Sequence, residues 1–456
     1  MARKRNLLPP LIIVLAVILA ILVAVAIFLR VTEPSVEPTD PTVTDAPTEP
    51  PTDPPTEPPT EPPVVKVSTA TIGAVGDLLM HDGVRNSAYN KANDTVDFSY
   101  LFQHLAPYLS KIDYAAANLE TTLCGLDNGY PYNGYPNFNC PDSLVDAAKN
   151  AGFDMLLTAN NHSYDTGHVG FLRTLQVIRD KGLATLGTHL PEDEKNYVVR
   201  DINGIRIGML CYTYNTSQTD AGVISLNGIT LSAEDSKLVN SFNPNRLDSF
   251  YAKLEKELAE MKAAGVEATV VYIHWGEEYA LSPNKTQTKI AQKLCDLGVD
   301  VIIGGHAHVI QPVELLTGTT DTAHKTLCLY STGNIVSNQR KTNVLASGHT
   351  EDGVLFSVTF AKYSNGTVVI ESADLLPTWV NMHTDSSGNR RYDILPLDSS
   401  VADWQTVLGI SSATQKLCRE SYDRTMALVG SGMTAANNYF RANQEQVEAA
   451  IGVTKP

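Results

Sequence analysis

The sequence predicts an α/β protein with substantial parallel strand pairing. Three observations carry that prediction. Short apolar runs recur between residues 66 and 345, helical patterns separate several of them, and five runs end in Asp, Glu, Asn or His, most with a Gly alongside. In order, Thr71–Val75 ends in Gly76-Asp77 and Asp113–Ala117 in Asn118-Leu119-Glu120. Asp154–Ala159 ends in Asn160-Asn161-His162, Ala268–Ile273 in His274-Trp275-Gly276, and Val299–Ile303 in Gly304-Gly305-His306-Ala307-His308.

The intervening segments carry the helical period. Leu247, Phe250, Tyr251, Leu254, Leu258 and Met261 share one helix face, with Gly265 placed to end the helix. Ile290, Leu294 and Leu297 repeat likewise before Gly298. Further on, Gly353–Phe360 and Thr367–Ile370 read as strands, and Gln415–Met426 and Ala435–Ala450 as two terminal helices. Residues 346–456 are thus expected to complete or flank the domain formed by 66–345. Trp379, Tyr392 and Trp404 are expected to pack there, and His349, which follows no apolar strand, reads as a loop histidine.

Composition narrows the function classes. The chain has 456 residues, an ordinary 43% apolar share and a formal charge of −16. Six cysteines in that length exclude a small disulfide scaffold. The acidic balance makes the protein a poor nucleic-acid binder, because phosphate affinity needs a Lys/Arg surplus. Eight of the acids, Glu33 through Glu61, fall with no base in the Pro/Thr-rich stretch 31–65, so the folded part is only mildly acidic. Proline fixes φ and removes donors, so this stretch is expected to be a disordered, extended linker.

Before it, Leu11–Leu29 is unbroken apolar sequence behind Arg3, Lys4 and Arg5. At ~1.5 Å per residue the run spans about 28 Å, close to one bilayer core. The Ala-Val-Ala at 24–26 lies inside the run, which favours an uncleaved anchor over a signal peptide. Residues 1–30 are therefore expected to be a cytoplasmic N-terminus and single transmembrane anchor in the cell membrane, with the C-terminal domain extracytoplasmic.

The strand endings point to one site. In α/β sheets, ligand sites gather beyond the carboxyl ends of strands. A lone His274 beside Trp275, a single His-x-His or an Asn-Asn turn is ordinary in a folded domain; five such endings together are not. Imidazole, carboxylate and amide oxygen suit Mn, Fe or Zn. A pair of divalent ions needs a bridging carboxylate and several terminal ligands. Asp77 or Glu120 fits the bridge, and Asn161, His274 and His306 the terminal positions. His308, two residues after His306, is expected to point the same way if the segment is extended. His162 reads as a general acid or substrate-binding cation, oriented by Asp165 three residues on.

Other chemistries lack support. There is no P-loop, no H-E-x-x-H, no G-x-S-x-G and no basic stripe with interleaved aromatics. Cys211, Cys295 and Cys328 sit in apolar runs and read as buried thiols, and Cys418 as unpaired. Cys124 and Cys140 flank a Gly/Pro/Tyr/Asn-rich loop and are either a disulfide or two thiols.

The ordered blocks AVGDLLMH (74–81), NLET (118–121), YPNFNCPDSL (135–144), LLTANNHSYDTG (156–167), YIHWGEEY (272–279), GGHAHVIQPVE (304–314) and STGNIVSNQ (331–339) resemble the CapA family of poly-γ-glutamate capsule biosynthesis proteins. The resemblance implies a metallophosphatase-like (calcineurin-like) α/β sandwich. It implies a two-metal site carried by Asp77, Glu120, Asn161, His162, His274, His306 and His308. Within that set Asp77, Glu120, Asn161, His274, His306 and His308 are the expected metal ligands and His162, with Asp165, the catalytic candidate, while His81, Asn118 and Glu278 are expected to bind substrate. Two positions depart from the phosphatase pattern. Leu79 stands where Asp-x-His would place a histidine, leaving His81 as the substitute, and the second acid is Glu120 rather than Asp.

Two functions follow. One is a component of capsule-polymer synthesis or export, working with membrane-bound synthase partners on an anionic polymer. The other is a metal-dependent hydrolase or transferase acting on a phosphoester or γ-glutamyl amide at the cell surface.

Overall fold

Strands buried on both faces must be nearly continuous in apolar residues, and the strands here are. A computed structural model describes residues 63–453, which lie in one folded unit. The expected anchor and almost all of the linker fall outside the described residues. Among the described residues no helix is long and apolar enough to cross a membrane.

Two mixed sheets form the fold. The first is built on β1 (Lys66–Leu78), β2 (Tyr114–Leu119), β3 (Met155–Leu157) and β4 (Ala184–Leu186), all parallel. The second is built on β5 (Ile205–Tyr214), β6 (Ala268–His274), β7 (Val301–Gly305) and β8 (Lys325–Thr332), also parallel. Antiparallel strands extend each. β9 (Asp352–Tyr363) pairs with β1, and β10 (Val368–Thr384) pairs with β9, while Ile310–Thr317 borders β8.

The main core lies between the sheets. Ile72, Ala74, Met155 and Leu157 meet Met209, Tyr272, Ile303 and Leu329 there. Helices α1 (Ser143–Ala151) and α2 (Gly167–Asp180) cover the outer face of the first sheet through Leu144, Val145 and Ile178. Helices α3 (Leu247–Ala263) and α4 (Lys285–Asp296) cover the second through Phe250, Leu254, Ile290 and Leu294. The expected amphipathic faces are the buried ones, and Gly265 and Gly298 take the positive φ that ends each helix.

Three expectations need correction, and one open alternative is settled. The two terminal helices are one, α5 (Ser412–Ala450). The intervening Gly430-Ser431-Gly432 has poor helix propensity, but a Cβ at Gly432 would fall 2.0 Å from the Val313 carbonyl oxygen. The glycine lets α5 approach that strand, and burial of Val429, Met433 and Phe440 in the central core outweighs propensity. The strand expected at 367–370 runs on to Thr384, through Pro377. That proline pairs in register with Val354 and lies one residue beyond the ladder that starts at Thr378 on the other side, where no donor is required. Cys124 and Cys140 are both free, buried thiols, as are the other four cysteines. The segment holding His306 and His308 is not extended, since both residues have positive φ. Trp379, Tyr392 and Trp404 are buried by packing.

Candidate metal centre

Register brings the strand endings together. Asp77 is opposite Asn118 across β1 and β2, and His274 is opposite Gly305 across β6 and β7. The carboxyl ends of both parallel sets thus face one small space between the sheets. Glycines next to the polar residues are required by close backbone approach. A Cβ at Gly76 would fall 1.8 Å from the Gly333 carbonyl oxygen, and one at Gly304 2.0 Å from that of Tyr330.

Asp77 and Glu120 are fully buried, and His274, His306 and His308 nearly so. Asn118 Nδ2 donates to Asp77 Oδ1 (2.7 Å) and lies 3.4 Å from Glu120 Oε2. Its orientation is set from behind, where Asn160 Nδ2 donates to Asn118 Oδ1 (3.1 Å) and to the Leu119 carbonyl (2.8 Å). His308 Nδ1 lies 3.1 Å from Asp77 Oδ2, and its Nε2 is 3.8 Å from Glu120 Oε1. His274 Nε2 donates to Asn161 Oδ1 (2.7 Å) and is 3.5 Å from Glu120 Oε1. The His306 ring stacks obliquely between His274 and Tyr214, with centroids 4.8 and 4.7 Å away.

The charges respond to one another. Burial pushes Glu120 up, but His308 and His274 outweigh it and hold the carboxylate well below its usual range. Burial pushes His308 down, while Glu120 and Asp77 lift it to about 9. At His306 burial and two neighbouring imidazoles outweigh the upward pull of the Glu120 charge and hold it well below its ordinary value.

Among the described residues, two overlapping triads can each surround one cation: Glu120, His306 and His308, and Asp77, Glu120 and His274. Glu120 belongs to both. Two of their atoms, Glu120 Oε1 and His306 Nδ1, are buried without a hydrogen-bond partner, a cost that a bound cation removes. The position facing this space from β7 is Gly305, where a Cβ would fall 3.2 Å from Asp77 Oδ1. Donor chemistry, orphaned atoms and the glycine-lined space all fit a divalent ion held by oxygen and nitrogen.

His162 stands beside the triads. Its Nδ1 is 2.8 Å from Asp165 Oδ2, and that oxygen also accepts from the Phe138 amide (2.6 Å). Burial lowers the His162 pKa, but the Asp165 hydrogen bond and charge raise it by more. Phe138 wedges edge-on between His162 and His81, with centroids 4.8 and 5.4 Å away. His81 belongs to neither triad. Its Nδ1 accepts from the Asn338 amide (3.3 Å), and burial and the His308 charge lower its pKa to about 4. Leu79, at the usual histidine position, is buried in the core. Glu278 is exposed at the mouth, close enough for its charge to act on Tyr279, Tyr214 and His308. His349 lies away from the site, against Ser347.

Sequence reasoning passed over Asn160, which braces Asn118, and Asn227, which touches Asn161 and His162. The Asn227-Gly228 dipeptide is a hairpin signal that was available in the sequence; what its side chain reaches was not.

The chain is similar to known capsule-synthesis proteins. The profile of the family described as Bacterial capsule synthesis protein PGA_cap matches residues 71–339. "Capsule biosynthesis protein CapA" of Bacillus anthracis is 30% identical over 308 residues, covering 67% of this chain and 67% of that protein. "PGA biosynthesis protein CapA" of Bacillus subtilis (strain 168) is 26% identical over 303 residues, 66% of this chain and 70% of the relative. A solved structure of a candidate 5'-nucleotidase from Staphylococcus aureus, in complex with alpha-ketoglutarate, aligns with a TM-score of 0.37 and 14% identity. That alignment spans 78% of this chain but only 58% of the other. The matched span holds all the residues of both triads, and the chain belongs to the bacterial capsule synthesis protein family PGA_cap.

Proposed function

We propose that this protein is a membrane-anchored, extracytoplasmic component of capsule-polymer assembly, acting on a poly-γ-glutamate-type polymer through a two-ion, metallophosphatase-like centre. The observation that carries the reading is the pair of buried triads sharing Glu120, with Glu120 Oε1 and His306 Nδ1 left unpartnered. The CapA relatives in Bacillus supply the polymer class. Leu11–Leu29 would be the anchor and 31–65 the spacer, placing the centre near a membrane-bound synthase.

Asp77, Glu120, Asn161, His274, His306 and His308 would hold the ions, Mn, Fe or Zn. Bound there, such ions supply Lewis-acid polarisation and an activated water. The chain's own groups do the rest. Asn118 fixes the Asp77 carboxylate, and Asp165 takes the Nδ1 proton of His162 in a hydrogen bond, so that Nε2 faces the site. Raised above its ordinary value, His162 keeps a proton to give to a leaving group at Nε2. His81 and Glu278 border the substrate's approach. A buried general acid beside a metal centre suits cleavage or transfer of a phosphoester or a γ-glutamyl amide, and this chemistry would be the molecular capability behind the assembly role.

The test is complementation of a clean deletion in a capsule-forming host. Polymer lost on deletion and restored by the wild-type chain, but not by His306→Ala expressed at equal level, supports the proposal. Restoration by both would leave an assembly role without the metal centre. Unchanged polymer in the deletion would refute the proposal.

A further inference from the structure

We infer that Asn227 is a positioning residue of the metal centre: its amide fixes the Asn161 side chain with Oδ1 toward the ligand space and confines the His162 ring. The inference rests on the metal reading above.

Asn227 is at the tip of a hairpin formed by Ile224–Leu226 and Ile229–Thr230. It has φ +46°, and Gly228 follows with φ +78°. Such a two-residue turn selects Asn-Gly for backbone reasons alone. The side chain, however, reaches away from its own hairpin. Asn227 Oδ1 accepts from Asn161 Nδ2 at 3.0 Å. Its Nδ2 lies 3.4 and 3.3 Å from the two ring nitrogens of His162, so it contacts the ring as a whole rather than bonding to one nitrogen.

The consequence is one of orientation. An asparagine amide has one acceptor end and one donor end, and only the oxygen can ligate a cation. With Nδ2 committed to Asn227, Asn161 presents Oδ1 to the space it shares with His274 Nε2, 2.7 Å away. Without Asn227 nothing holds Nδ2, and the His274 contact alone opposes a turn that would present the NH2 group to the cation. The tip is held in register with the turn it braces. Ile224 and Leu226 pack with Tyr164, in the turn that carries Asn161 and His162, and with Phe171 of α2, the helix that follows that turn. The Gly228 amide also donates to Thr216 Oγ1 (3.2 Å). The hairpin is thus a fixed strut, built from the far side of the site.

The test compares the full-length chain, stripped by chelation, with its Asn227→Gly and Asn227→Asp variants by Mn2+ calorimetry. Glycine adopts φ +46° freely, so Asn227→Gly keeps the turn and removes only the side chain. The expected result is a fall in Mn2+ affinity of roughly tenfold or more, the usual effect of losing an outer-shell partner, with Tm unchanged. Asn227→Asp retains the acceptor for Asn161 and is expected to hold its affinity. Asparagine-selective 15N labelling gives a readout free of metal, in which the Asn161 side-chain amide signal moves in Asn227→Gly and stays in Asn227→Asp. Equal Mn2+ affinity in wild type and Asn227→Gly, a tenfold loss in Asn227→Asp, or an unmoved Asn161 signal in Asn227→Gly would overturn the inference while leaving the metal centre standing. A wild-type chain that takes up no Mn2+, Fe2+ or Zn2+ would overturn the metal reading and this inference with it.

Discussion

Replacing Glu120 with Gln removes one charge and almost no volume, and it tests how the two triads are joined. Glu120 is the one residue common to both groups, with Oε1 3.5 Å from His274 Nε2 and 3.8 Å from His308 Nε2. His306 belongs to one triad only, and His274 to the other. The three substitutions should therefore differ in kind. Losing an outer-shell partner alone weakens a metal site 10–100-fold, so losing a carboxylate that faces the ion should cost at least about 100-fold, or about 3 kcal/mol. In Glu120→Gln that loss should fall on both ions, and metal content measured by mass spectrometry after gel filtration should drop from about two per chain to near zero. His306→Ala and His274→Ala should each keep about one. Circular dichroism of all three should match wild type, because the β-sheet core is untouched. Two ions retained in Glu120→Gln, or both lost in His306→Ala with the fold intact, would refute the shared-carboxylate reasoning.

Metal uptake should also depend on pH. Glu120 and Asp77 hold His308 protonated up to about 9 against the pull of burial, so the imidazole must release a proton before it can ligate. Apparent log affinity for Mn2+ should rise by roughly one per pH unit between pH 6.5 and 8.5 and level off above about 9; calorimetry showing no such rise would contradict this. Away from the site, the carboxylate of Asp352 is buried and accepts from Arg424 Nη2 and Ser421 Oγ, both at 2.6 Å, which ties α5 to the start of β9. Arg424→Ala leaves that charge unpaired and should lower stability by about 3–5 kcal/mol in urea unfolding; a loss under 1 kcal/mol would show that the pair does not hold the helix. Gly76→Ala sets a methyl against the Gly333 carbonyl oxygen and should cost about 1–3 kcal/mol while displacing Asp77. Wild-type stability and metal affinity in that variant would contradict the close-approach argument.

The parts of this protein legible in its sequence were those governed by local pattern. Apolar runs of five or six residues ending in Gly-Asp, Asn-x-Glu, Asn-His, His-Trp-Gly or Gly-His located the strand ends, because a buried parallel strand has few ways to be written and its carboxyl end is where polar groups collect. All six expected ligands lie within that space. What escaped was set by tertiary contact. The segments 415–426 and 435–450 read as two helices, yet they are one in α5, where Gly432 lets the helix approach Val313. The strand read at 367–370 runs on through Pro377, which is tolerated because it lies past the end of one ladder. The left-handed backbone at His306 and His308, which an extended reading excludes, points both rings inward by a different route. Asn227, some 66 residues after Asn161 in sequence, is joined to it by hairpin packing that no local pattern encodes.

The central claim is that two ions flank one carboxylate. A crystal of the wild-type protein grown with Mn2+, measured at the manganese absorption edge, reads this directly. The expected anomalous map has two peaks, one beside His306 and His308 and one beside Asp77 and His274, with Glu120 reaching both. A single peak that leaves Glu120 unliganded, or peaks elsewhere with this space holding only water, would contradict it.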